Sequence, residues 1–93
     1  MNARQNLYDR RAAIRVTIRA IDEVQTLLEV CSIPTESAAA TRDLVAARFQ
    51  VSAWESETML KMQIERFTPR HAEVLRAELG DVEVAIREIE ARD

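Results

Sequence analysis

Leucine or isoleucine returns every seven residues at Leu7, Ile14, Ile21 and Leu28, with Ile18 between them. Val16, Ala20, Val24 and Leu27 widen the same stripe. An apolar row of this period lies along one face of an α-helix, and a helix in water must cover that face. From about residue 3 to residue 31 such a helix is roughly 40 Å long, at about 1.5 Å per residue. Pro34 stops it, because proline offers no N–H and restricts Ile33 before it. A second row, Leu75, Leu79, Val82, Ile86 and Ile89, is spaced alternately by four and three residues, as in a coiled-coil seam. Thr68-Pro69 opens this helix sharply. Threonine caps well, and proline suits the first helical position, where the N–H lacks a partner anyway. Gly80 lies inside the row at a cost of about 1 kcal/mol against alanine.

Two shorter helices are expected between these rows, over about residues 35–49 and 52–66. Thr35 or Ser37 can cap the first, which carries Ala38, Ala39, Leu44, Val45 and Phe49. Ser52 with Glu55 three residues later makes a capping box for the second, which carries Trp54, Met59, Leu60, Met62 and Ile64. Composition favours helix over sheet: 47% of residues are hydrophobic but only 4% aromatic, with one glycine and two prolines. The expected fold is therefore all-α, with four helices in one domain spanning residues 1–93. Two long helices, over about 3–31 and 69–93, form an antiparallel coiled-coil stalk, and the short helices form its tip. Ile14, Ile18, Ile21 and Leu28 are expected to face Leu75, Leu79, Val82, Ile86 and Ile89. A chain of 93 residues has a thin core, so pairing with a second copy would add stability.

Three segments carry a family likeness: Ile21-Asp22-Glu23-Val24, Phe49-Gln50-Val51-Ser52, and the run Met59-Leu60-Lys61-Met62-Gln63-Ile64-Glu65-Arg66-Phe67-Thr68. In order and spacing the chain resembles the coiled-coil and exit-gate segment of the bacterial type IIA topoisomerase A subunit, the DNA gyrase and topoisomerase IV family. The last run is similar to the family's two apolar residues followed by x-Met-x-Leu-x-x-Leu-Thr. The resemblance extends from about Leu7 to Asp93. It implies a stalk of two long helices whose tip meets the tip of a second subunit and closes the exit for DNA. Carried over, the dimer interface comprises Trp54, Met59, Leu60, Met62, Ile64 and Phe67. The chain departs from the family after the threonine, where Pro69-Arg70-His71 replaces the usual Gly-Leu-Glu, and at Trp54, where an aliphatic residue is usual. The family's winged-helix, catalytic-tyrosine and DNA-wrapping parts are not expected in 93 residues.

Charge narrows the functional classes. The formal net charge is -3, which does not favour nucleic-acid binding by bulk attraction. Arg4, Arg11, Arg15 and Arg19 nevertheless fall on or near one helix face, with Tyr8 among them. They are candidates for contact with DNA phosphates. Pairing with the acidic last helix, which holds Glu73, Glu78, Asp81, Glu83, Glu88 and Glu90, is the reading favoured over DNA contact. Tyr8, the only tyrosine, reads as an ordinary stalk residue. Neither a catalytic site nor a cofactor nor a metal is expected. His71 is the only histidine and Cys31 the only cysteine, too few for a metal set. No base is identifiable to activate Cys31, which reads as an inert small hydrophobe. Arg15, Arg19, Ile21 and Asp22 faintly resemble the first helix of small dimeric chorismate mutases. Those enzymes hold a dicarboxylate with several cations, and the only lysine here is Lys61. No apolar run approaches the roughly 20 residues of a membrane span, and no signal peptide is evident. The expected location is the cytoplasm.

The sequence therefore reads first as a non-catalytic homodimeric interaction module resembling the gyrase exit gate. Its partners would be itself and a topoisomerase A subunit or another assembly. The alternative is a small DNA-associated protein using its arginine face, and the last is a small helical enzyme.

Overall fold

The computed structural model describes residues 3–92, and these form helices and turns without strands. The elements are α1 (Ala3–Asp22), α2 (Val24–Cys31), α3 (Ala38–Phe49), α4 (Ala53–Leu60), a single 3-10 turn (Ile64–Arg66) and α5 (Pro69–Ala91). Asp93, the end of the last helix as read from sequence, lies outside the described residues.

Capping chemistry sets most boundaries. Ser37, not Thr35, caps α3 and accepts from the Ala40 N–H at 3.1 Å. Thr35 instead donates to the Ser37 carbonyl at 3.0 Å and meets the Thr41 hydroxyl at 2.7 Å, so α3 starts at Ala38. Gln50 closes α3 in the left-handed region, φ 55°, and the Val51 N–H returns to the Ala46 carbonyl at 3.0 Å. Ser52 and Glu55 make both arms of the capping box, each at 3.0 Å. Thr68 accepts from the His71 N–H at 3.1 Å with Pro69 at the start of α5. The expected helix over 52–66 is interrupted: α4 ends at Leu60, Gln63 is extended, and the 3-10 turn leads into Phe67.

α1 and α5 lie side by side in opposite directions. The Tyr8 hydroxyl donates to Glu90 at 2.7 Å, Arg15 to Glu83 at 2.8 Å, and Arg76 to both Asp22 oxygens at 2.6 Å. Each step of seven along α1 is thus a step of seven back along α5. Ile14, Val82 and Ile86 are buried between the helices, with Leu7, Tyr8, Ile18, Leu75 and Leu79 packed around them. Ile21 is also buried, and Ile89 is half-buried.

Leu28 departs from the expected seam: it is 60% exposed. The first helix breaks at Glu23, whose backbone (φ -116°, ψ 33°) is far from helical, and α2 starts at Val24. Two causes act together. In the register above, Leu28 would lie level with Arg70, beyond the last apolar residue of the α5 row. Meanwhile Leu27 and Val30 are claimed by a second core. That core joins Val16 and Ala20 of α1, Leu27 and Val30 of α2, Val45 and Phe49 of α3, and Met59 of α4. Val51, Leu60, Met62 and Phe67 pack against it. The broad apolar face of α1 therefore divides, Ile14 and Ile18 going to the stalk and Val16 and Ala20 to the tip.

Candidate interaction face at the tip

The residues expected to form the tip interface separate into three groups. Met59 is 1% exposed and belongs to the core, so it presents nothing to a second chain; this corrects its assignment to an interface. Its burial follows from helix geometry, because Met59 and the fully buried Ser56 share the face of α4 turned toward α3. Ser56 donates to the Arg42 carbonyl at 2.7 Å, fastening that face. Leu60, Met62 and Phe67 are half-buried against the core. Trp54 and Ile64 are the surface members, at 54% and 88% exposed.

Trp54 and Ile64 border a run of shallow depressions on the tip face that share lining residues. Trp54, Glu57, Thr58 and Lys61 line a shallow depression. Thr58 and Lys61 also line the next one, shared with Thr17, Met62, Gln63 and Arg66, and Gln63 continues to Ile64 and Glu65. Lys61 also borders a third depression between α3 and α4, lined by Ala38, Ala39, Arg42, Glu57 and Leu60. At the middle of this face Lys61 pairs with Glu57 at 2.6 Å, one helical turn apart. The hydrogen bond and charge of Lys61 hold the Glu57 carboxyl below the usual carboxylate range. Sequence reasoning did not single out Glu57, Thr58 or Lys61. The available signal was the lone lysine placed four residues after a glutamate, the favourable order for a helical pair.

The arginine row is distributed among different partners. Arg15 pairs with Glu83 of α5, and Arg10 with Glu78. Arg19 pairs with Glu23 at 2.8 Å along its own helix and lies 5.2 Å from the centre of the Phe49 ring. Arg11 lies 5.2 Å from the centre of the Tyr8 ring. Arg4 is close enough to Tyr8 to act on its titration. Tyr8 is raised above its ordinary value chiefly by its hydrogen bond to Glu90. Asp22 is taken by Arg76, so Arg15, Arg19 and Asp22 do not converge on one pocket as a dicarboxylate site would require.

Cys31 is exposed at the end of α2 instead of packed, and partial desolvation pushes its thiol up. His71 is half-buried in the first turn of α5. Among the described residues no group of three or more His, Cys, Asp or Glu side chains is placed to hold a metal ion. Nor is any helix among them long and apolar enough to cross a membrane.

No family model matches this chain, and no curated protein matches it.

Proposed function

We propose that the chain is a non-catalytic, homodimeric interaction module that pairs tip to tip, as its resemblance to the topoisomerase exit gate implies. A topoisomerase A subunit, which would carry a like tip, is the proposed partner beyond a second copy. The observation that carries this reading is the exposure of Trp54 and Ile64 at the tip. An isoleucine 88% exposed and a tryptophan 54% exposed are the large apolar side chains that such a contact would cover.

The surface area reflects the elongated shape of the chain. The accessible surface is 6425 Å², whereas a folded monomer of 10.6 kDa is expected to show about 5500 Å². The surplus is roughly 900 Å². Elongation accounts for the surplus: the radius of gyration is 15.0 Å, against about 12 Å for a compact chain of this length.

Static light scattering at tens of micromolar tests the proposal. A two-chain mass is expected, and a purified topoisomerase A subunit added in excess should draw the chain into a mixed complex. A single-chain mass for the wild type overturns self-pairing, and absence of a mixed complex overturns the topoisomerase partner.

A further inference from the structure

The tip face has a polar centre. Glu57 and Lys61 lie between Trp54 and Ile64, and Lys61 borders three depressions at once. Any partner that covers Trp54 and Ile64 also covers this ion pair. While the pair faces water it contributes little, because both side chains remain well exposed, 42% for Glu57 and 73% for Lys61. Under an interface the balance changes. Removing a lysine and a carboxylate from water is costly unless the arriving surface supplies opposite charges at matching positions.

A second copy turned about a two-fold axis supplies them. In such a contact the same patch meets itself reversed. With the axis between Glu57 and Lys61, each glutamate meets a lysine and each lysine a glutamate. A patch of one sign would repel its own copy, whereas this one carries both signs side by side at the C-terminal end of α4. Resting on the tip pairing proposed above, we infer that Glu57 and Lys61 are the specificity-determining residues of a two-fold self-contact. Lys61 of one copy closes on Glu57 of the other to make a ring of four alternating charges, flanked by Trp54 and Ile64.

Complementary charge reversal tests this. Lys61→Glu places two acids in the ring from each copy, and Glu57→Lys places two bases. Each variant alone should dimerise about 100-fold more weakly than wild type or worse, since like charges pressed together at an interface cost several kcal/mol. Mixed one to one, the two variants should recover a dimer containing one chain of each. Native mass spectrometry with one variant isotopically labelled reads this directly. Circular dichroism on each variant checks that α4 is intact, and recovery in the mixture itself excludes misfolding as the cause of the loss. Either variant dimerising like wild type, or a mixture that stays monomeric, overturns the ring while leaving tip pairing in place. A monomeric wild type overturns tip pairing itself.

Discussion

The stalk and the tip use the same residue types to different ends. In the stalk two helices share one thin apolar seam centred on Ile14, Val82 and Ile86, and exposed ion pairs lie along its edges. In the tip four helices converge on seven buried side chains, centred on Phe49 and Met59. Yet it is the better-packed region that leaves Trp54 and Ile64 in water. The contrast teaches that exposure at the tip is not a shortage of core. The tip has a place to bury large apolar groups and still presents Trp54, Ile64, Leu28 and Leu44 outside it, whereas the stalk helix α5 presents the smaller Val74 and Val84 among its charges.

The largest expected effect on stability is at the tip core. Phe49→Ala should cost about 3–5 kcal/mol, the range for a fully buried aromatic. That is much of the total stability of a small domain, commonly about 5–15 kcal/mol. Urea denaturation followed by circular dichroism measures it. Ile86→Ala in the stalk should cost less, towards the lower end of about 2–5 kcal/mol, because a two-helix seam lets water reach the space left behind. Equal costs would erase the distinction between a packed tip and a thin stalk.

The next effect concerns the stalk's charges. Several arginines of the row already meet acids or aromatic rings of the same chain, so tight binding to duplex DNA is not expected at about 150 mM salt. Specific complexes have dissociation constants of ~10⁻⁸ to 10⁻¹¹ M. A band shift in that range, lost in the double variant Arg11→Glu with Arg15→Glu, would make the stalk the functional region in place of the tip. Binding seen only at low salt would not, since phosphates attract any arginine-rich face when screening is weak.

The smallest effects are in pH. Tyr8 titrates above its ordinary value of 10.0 in the folded chain, so the protonated phenol is the form that folding favours. Its contribution is complete below that value and fades as pH rises through the raised one. Glu57 has the opposite sign. Its lowered carboxyl contributes above the ordinary glutamate range and loses that contribution as pH falls through the lowered value. Thermal melts of Tyr8→Phe and Glu57→Gln should differ from wild type only slightly at pH 7. The Tyr8→Phe difference should vanish at strongly alkaline pH, and the Glu57→Gln difference at acid pH.

Much of the helical plan could be read from local chemistry. The capping box at Ser52 and Glu55 and the Thr68-Pro69 start need only nearby residues, so sequence and structure agree there. The break at Glu23 could not be read in the same way. The seven-residue spacing runs on through Leu28, and only the absence of an apolar partner beside Arg70 and the pull of the tip core on Leu27 and Val30 break the helix. The same limit applies to the candidate face. Sequence grouped Trp54, Met59, Leu60, Met62, Ile64 and Phe67 by a family likeness, but the packing of α4 against α3 decides which of them meet water. Lys61 and Glu57 were overlooked because an isolated pair four residues apart is usual on any exposed helix.

The claim that the tip, not the stalk, is the pairing surface is tested most directly by sedimentation equilibrium at tens of micromolar on three proteins. These are the wild type, Ile64→Glu at the tip, and Val84→Glu, a control on an exposed position of α5. All three should keep the wild-type circular dichroism, because neither side chain belongs to a core. The account predicts two-chain masses for the wild type and Val84→Glu, and a single-chain mass for Ile64→Glu. A single-chain wild type, or dissociation by Val84→Glu while Ile64→Glu remains paired, would contradict it.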